Sequence, residues 1–237
     1  MTVSYDEART ALLDAALLHV PFDGWSEATF QAAIRDAEMA PGVARAVCPR
    51  GAVDLAIAFH KNGDQVMLDR LGAIDMSGLK FSEKVTESVW MRIGASENKE
   101  AVRRGTTLFA LPVYAGDGAR LIWGTADHIW TALGDTSEDY NWYTKRATLS
   151  GVYSSTVLYW LGDDSPDAMA TRAFLERRIG DVMQIEKLKS QVRKSPTLSR
   201  LMAGPEWVLG RIRPPARAQR DTMPGSWTAP RGEADRP

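Results

Sequence analysis

The sequence contains little of what most enzyme classes need. Its one cysteine, Cys48, excludes an internal disulfide and a metal cluster built from cysteines. The three histidines, His19, His60 and His128, are dispersed, and none stands in a pattern that places two metal ligands on one helical face. A Gly-x-Ser-x-Gly elbow, a Walker loop and a Gly-x-Gly-x-x-Gly motif are also missing. The sequence therefore predicts a non-enzyme with no catalytic residues, no metal and no cofactor.

Strong charge and long apolar runs are missing as well. A net charge of -1 over 237 residues argues against general affinity for nucleic acid. No apolar run approaches the roughly 20 residues that a membrane-spanning helix needs. The N-terminus, MTVSYDEARTALL, has acidic residues early and resembles neither a secretory signal nor a transit peptide. These features predict a soluble or peripheral protein.

Apolar residues recur at three- and four-residue steps, and sustained two-residue alternation is absent, so the expected fold is all-α. Four helices are predicted at the front, over residues 5–18, 26–37, 43–47 and 49–60. A separate short helix is predicted over residues 64–74 and a turn over residues 116–118. Two helices, a tight turn at Pro41-Gly42, a short helix and a longer one follow the order of TetR-type DNA-binding heads.

The predicted head lacks the residues with which such heads read DNA. The short helix after the turn, VARAVCP, offers only Arg45 as a cation. A duplex reader needs several Lys and Arg for phosphates and polar side chains for base edges. We therefore interpret residues 1–62 as a degenerate helix-turn-helix head that binds no nucleic acid.

The remaining chain divides by composition into three parts. Residues 63–194 are predicted to form a larger helical domain, and residues 214–237, rich in Pro, Arg, Gly and Ala, a disordered tail. Between them, residues 195–213 combine apolar side chains with several arginines, as membrane-surface helices do. The alternative is a C-terminal helix that docks on the domain. The predicted membrane-binding side chains are Leu198, Leu201, Met202, Trp207, Val208, Leu209 and Ile212.

The most distinctive stretch is DTSEDYNWYTKRATLSGVYSSTVLYWL, residues 135–161. Asp135, Thr136 and Ser137 can cap a helix, and an apolar face runs along the rest of the stretch. Two adjacent aromatic residues, Trp142 and Tyr143, are followed by two cations in the first turns. Trp and Arg in such a place are typical of interface anchors. The alternative is a tryptophan half-buried under a neighbouring helix.

This stretch, with the preceding ADHIW and the following DDSP, resembles the signature of a ubiquinone-biosynthesis accessory family, the lipid-binding "coenzyme Q protein nine" type. The resemblance spans roughly residues 8–194 and is strongest over 127–178. It implies a TetR-like helical bundle whose larger part holds an isoprenoid lipid or quinone intermediate. From their periodic positions, the pocket is predicted to be lined by Trp123, Tyr153, Tyr159 and Phe174.

The same resemblance implies a surface that docks the demethoxyubiquinone hydroxylase. Carried onto this sequence, that partner-binding patch comprises Trp130, Asp139, Trp142, Tyr143 and Arg146. Steps of three, four and seven residues from Asp139 place the last three on one helical face. Because TetR-like folds dimerise through their last two helices, a homodimer using parts of 138–161 and 167–192 is expected.

Taken with these features, the resemblance implies a non-catalytic accessory protein that rests on the membrane surface and presents a quinone intermediate to the hydroxylase. Because the sequence departs from the eukaryotic pattern by lacking a mitochondrial presequence, the expected location is the cytoplasmic face of a bacterial membrane. The alternative is a TetR-type, ligand-responsive transcription regulator with the same architecture.

Overall fold

The computed structural model of the protein describes residues 4–96 and 98–194, with side chains of the last helix described through residue 185. Within these residues the chain is helical and forms no strand, which confirms the predicted all-α class. A short 3₁₀ helix, Pro166–Ala168, precedes the last α-helix. The α-helices are α1 (Tyr5–Asp23), α2 (Glu27–Asp36), α3 (Pro41–Val47), α4 (Ala52–Ala73), α5 (Phe81–Gly94), α6 (Lys99–Phe109), α7 (Ala115–Ala132), α8 (Tyr140–Leu161) and α9 (Met169–Lys194).

Several helices begin where a short polar side chain accepts a hydrogen bond from the first turn. Ser4 caps α1 in a capping box with Glu7, and the Ser26 hydroxyl accepts from the amide of the third residue of α2. Helix α8 is capped by Asp139 and begins later than the sequence predicts. The carboxylate of Asp135, one of the predicted caps, instead accepts hydrogen bonds from two cations farther along α8.

Helix α4 is continuous where the sequence predicts two helices that meet near residue 62. The predicted boundary between residues 1–62 and 63–194 therefore falls inside one helix. Gly63 lies at this point, and a Cβ added there would stand 2.6 Å from Nη1 of Arg92. The absent side chain makes room for the guanidinium of Arg92, so this glycine serves close packing and does not break the helix.

The predicted turn over residues 116–118 is also helical, because α7 already begins at Ala115. A Cβ added to Gly118 would lie 2.8 Å from Cβ of Phe109 on α6. The glycine lets the end of α6 approach α7 closely, and that packing decides the local structure over the turn tendency of the sequence.

Two apolar cores follow one another along the molecule. The first joins α1 to α4 around residues such as Leu12, Phe30 and Leu55, and the second joins the far half of α4 to α5, α7, α8 and α9. Full burial of each such side chain contributes roughly 1.5–3 kcal/mol to folding. Because α4 contributes Leu55 to the first core and Met67 to the second, it fixes the head against the larger helical part.

Candidate functional site

An apolar cavity of about 410 Å³ lies where the two cores meet. This volume is within the roughly 300–1,000 Å³ of small-molecule sites. The head contributes part of the wall, and α6, α7 and α8 contribute most of the rest. Larger apolar side chains in the wall are Trp25, Phe59, Phe109, Leu121, Ile122 and Val157.

Small residues on α6 and α7 create much of this space. Ala101 and Gly105 of α6 face the cavity together with Ala115, Gly118 and Ala119 of α7. Side chains of this size leave room that larger ones would fill. The pocket was predicted from bulky aromatic residues, so this signal was missed. The signal consists of small residues at helical spacing on two consecutive helices.

The cavity has an exposed end and a buried end. Ala110, Ala115, Ala119 and Leu158 line it and are themselves exposed, and the Leu158 side chain, 63% exposed, marks the opening. Tyr153 lines the cavity five residues earlier on α8 and is only 5% exposed. Five residues advance an α-helix by about 7.5 Å, so the buried end lies well inside the opening.

Of the four predicted pocket residues, the structure places one in the cavity wall. Tyr153 lines the cavity, whereas the other three are not among its lining residues. The ring of Trp123 lies 5.9 Å from that of Trp142, outside the cavity. Tyr159 and Phe174 stack on each other at 4.5 Å between α8 and α9. Helical periodicity assigned these residues to apolar faces but could not tell which faces border a void.

A network of charged and polar side chains closes the buried end. The carboxylate of Asp64 accepts hydrogen bonds from Arg92 Nε at 2.6 Å and from the Thr125 hydroxyl at 2.8 Å. Arg92 also donates through Nη2 to the His60 carbonyl at 2.9 Å. His60 Nε2 lies 2.9 Å from the Thr125 hydroxyl oxygen, and His128 Nδ1 lies 3.4 Å from Asp64 Oδ2.

This network divides the two histidines into opposite electrostatic environments. Burial, together with the charge of Arg92, lowers the pKa of His60 to about 4, so its imidazole is neutral near pH 7. The Asp64 carboxylate raises the pKa of His128, which is half-buried. Burial alone would raise the pKa of Asp64, but His128 and Arg92 outweigh that effect and lower it. The buried end is therefore polar while its cavity-facing imidazole carries no charge.

Arg146, predicted to be exposed on the partner-binding patch, is buried, with 0% of its side chain exposed. Its Nε donates to Asp127 at 2.6 Å, and its Nη1 donates to Asp135 at 2.9 Å. The guanidinium carbon lies 4.0 Å from the ring centroid of Trp142. The expectation of an exposed arginine is wrong because carboxylates on α7 and in the following loop draw this side chain inward. Arg146 thus joins α7 to α8 and supports Trp142 from beneath.

Two aromatic residues of the predicted patch, Trp142 and Tyr143, form a half-buried cluster with Trp123 of α7. The rings of Trp142 and Tyr143 lie 4.8 Å apart, and Trp123, assigned by sequence to the pocket, lies 6.3 Å from Tyr143. Asp139 is exposed at the start of α8, where it accepts from the amide of Asn141. We call Trp123, Asp139, Trp142 and Tyr143 the aromatic patch.

Trp130 occupies a separate position beside Lys145. Its ring stacks on Phe81 at 5.6 Å, and its indole N–H donates to the Lys145 carbonyl at 3.2 Å. The Lys145 ammonium lies 5.1 Å from the ring centroid and also donates to Asp135 at 2.8 Å. Burial alone would raise the pKa of Asp135, but hydrogen bonds from Lys145, Ser137 and Arg146 hold it well below its usual range. This pair of charges anchors the loop before α8.

The head offers one basic residue on its short third helix. Arg45 of α3 pairs with Glu27 of α2 at 2.5 Å, and its guanidinium lies 4.7 Å from the ring centroid of Phe30. The one cation of α3 that could contact DNA, Arg45, is thus paired with an acidic side chain of the head.

The predicted membrane-binding side chains between Leu198 and Ile212, and the predicted tail, lie outside the described residues. Over the part of the chain that the structure describes, no helix combines the length and apolar character needed to cross a bilayer.

The helix order is that of a TetR-like fold. A TetR transcriptional regulator from Nitrosomonas europaea matches it with a TM-score of 0.59 over 73% of this chain and 95% of that one, at 19% identity. A likeness at this identity concerns the fold alone.

Part of the chain also matches the model of a known protein family. The COQ9 family model matches residues 115–186, which hold α7, α8 and much of α9. Similar proteins include the mitochondrial ubiquinone biosynthesis protein COQ9 of Drosophila melanogaster (31% identity, 78% of this chain and 58% of that protein) and that of Homo sapiens (27%, 81% and 63%). The probable coq9 protein of Dictyostelium discoideum is 28% identical over 80% of this chain and 64% of its own length.

These matches confirm the resemblance to the COQ9 family that the sequence carries. It spans about three-fifths of the length of the curated relatives it matches. The matched segment includes Trp142, Arg146 and Tyr153, so the aromatic patch and part of the cavity wall lie in the region that the family model describes. The relatives are named as mitochondrial proteins, and the bacterial location expected from the sequence stays a prediction.

Proposed function

We propose that this chain takes part in ubiquinone biosynthesis as a non-catalytic accessory protein that holds an isoprenoid quinone intermediate in its cavity. The observation that supports this most is the apolar cavity of about 410 Å³ at the junction of the two cores. Its opening beside Leu158 would let a prenyl tail longer than the cavity reach outward. The COQ9 relatives are named as ubiquinone biosynthesis proteins, and the proposed pathway is taken from those names.

In this proposal the bonds of the quinone are changed by a separate enzyme. The demethoxyubiquinone hydroxylase is the proposed partner, and the aromatic patch is the proposed docking surface. Half-buried Trp and Tyr side chains over a rigid support are typical of energetic anchors at interfaces. The buried Arg146 provides that support beneath Trp142. A peripheral position on the membrane, a homodimer and a bacterial cytoplasmic location complete the proposal.

Mass spectrometry of lipids extracted from the purified full chain tests the cavity. We expect an isoprenoid quinone to co-purify with the wild type. Val157 lines the cavity from α8, and Val157→Trp should fill the space and remove the lipid. Val157→Leu is the matched control, since it changes the volume little and should retain the lipid. An empty wild-type protein, or equal lipid content in all three, would contradict the proposal.

The fold likeness to a transcription regulator suggests a second function, but α3 gives it little support. Its one cation, Arg45, already pairs with Glu27. A titration with duplex DNA at low salt separates the two functions. Specific nanomolar binding to an operator would favour the regulator and overturn the accessory role.

A further inference from the structure

Tyr153 is a buried side chain whose hydroxyl has no hydrogen-bond partner among the residues that the structure describes. It lies on α8, is 5% exposed and lines the inner end of the cavity. Arg92 lies with its guanidinium carbon 5.6 Å from the Tyr153 ring centroid, and the His60 ring meets it edge-on at 6.4 Å. A ligand in the cavity that accepts a hydrogen bond from this hydroxyl gains about 0.5–1.5 kcal/mol of affinity.

The neighbouring polar groups are already engaged with one another. Arg92 donates to Asp64, to the Ser96 hydroxyl and to the His60 carbonyl, and His60 lies within hydrogen-bonding distance of Thr125. This network fixes the tyrosine ring from two sides. Burial raises the pKa of Tyr153, so its hydroxyl keeps its proton and can donate.

We propose that the Tyr153 hydroxyl donates a hydrogen bond to a ring oxygen of a quinone, so that the ring enters the cavity first and the prenyl tail leaves past Leu158. The inference rests on the proposed function and adds the orientation of the ligand and the residue that recognises its ring. The chemistry is that of a molecule with a hydrogen-bond-accepting ring oxygen at one end and an apolar chain at the other. The wall agrees with this, since apolar side chains such as Ala56, Leu121 and Val157 line the same cavity as the Tyr153 hydroxyl.

Binding of two ligands to four forms of the full chain tests the orientation. The ligands are a ubiquinone with two isoprene units and a prenyl hydrocarbon of similar length that has no ring oxygen. Affinities come from displacement of a fluorescent apolar probe. Tyr153→Phe removes only the hydroxyl and should weaken quinone binding about 3- to 10-fold while leaving hydrocarbon binding unchanged. Tyr159→Phe, outside the cavity, should change neither, and Val157→Trp should weaken both.

The outcomes separate this inference from the function on which it rests. If Val157→Trp weakens both ligands while Tyr153→Phe binds the quinone like the wild type, the cavity holds the ligand but the ring does not reach Tyr153. Equal weakening of both ligands by Tyr153→Phe would also overturn the orientation. If Val157→Trp changes neither affinity, or the wild type binds no quinone, the proposed function fails as well.

A measurement on the wild type covers the case in which Tyr153→Phe does not fold. A hydrogen bond lowers the infrared stretching frequency of a quinone carbonyl relative to its value in a hydrocarbon solvent. We expect one carbonyl of the bound two-isoprene ubiquinone to show this shift. Two unshifted carbonyls would overturn the inference.

Discussion

Replacing His60 by glutamine should change how the stability of the protein depends on pH. His60 lies at the buried end of the cavity, within 2.9 Å of the Thr125 hydroxyl, and glutamine can keep that hydrogen bond without titrating. The charged and titratable groups around it are Asp64, Arg92, His128 and Tyr153. Burial is the main cause of its lowered pKa, and the charge of Arg92 adds to it.

The magnitude follows from proton binding in the two states. The imidazole has a pKa of 6.5 in the unfolded chain and about 4 in the folded protein. Between these values the unfolded chain binds a proton that the folded protein does not, so stability is lost as the pH falls. Integration from about pH 7.5 to about pH 5 gives a loss of about 2 kcal/mol for the wild type relative to His60→Gln.

Urea unfolding at a series of pH values measures this difference, with His128→Gln as the matched control. The Asp64 carboxylate raises the pKa of His128, so its contribution to stability is present below the unfolded pKa and lost as the pH rises through the folded one. The two variants should therefore shift in opposite directions between neutral and mildly acidic pH. Unfolding free energies of the wild type and His60→Gln that run parallel with pH would refute the reasoning.

Three further predictions concern packing and the aromatic patch. Gly63→Ala places a Cβ 2.6 Å from a guanidinium nitrogen of the buried Arg92 and should lower the free energy of unfolding measured in urea. Its control, Gly72→Ala in the same helix, meets nothing within 4 Å and should raise that free energy by up to about 1 kcal/mol. Arg146→Leu leaves the buried Asp135 with one cation fewer and should cost about 3–5 kcal/mol by the same assay; a loss below about 1 kcal/mol would contradict the structure. Trp142→Ala should weaken binding to the hydroxylase at least tenfold, a cost of about 1.4 kcal/mol in binding free energy, without loss of bound lipid. Trp142→Lys should also lower the free energy of unfolding, because it places a second cation against Arg146. Hydroxylase binding measured by surface plasmon resonance checks the last prediction, and unchanged affinity of the folded Trp142→Ala protein would exclude the patch.

The sequence alone was enough to predict the class of the fold and the region of greatest interest. Helical periodicity along the chain predicted the all-α fold, because the face that a helix buries is set by spacing within that helix. The stretch that holds the NWY motif was predicted to be a helix, as α8 is, and the comparisons confirm the family resemblance that this stretch carries. Local signals for turns were less reliable. Gly63 and Gly118 lie inside helices, where each makes room for a side chain from another helix.

What the tertiary structure decided depends on contacts between residues far apart in the chain. Arg146 shares a helical face with Trp142, yet it is buried because Asp127 and Asp135 approach it from α7 and the next loop. The cavity arises where small residues of α6 and α7 meet the head, and no single helix carries that information. The polar end that sets Tyr153 apart from the other aromatic residues likewise needs α4, α5, α7 and α8 together. Spacing within a helix defines a face, and only the packing of several helices determines what that face meets.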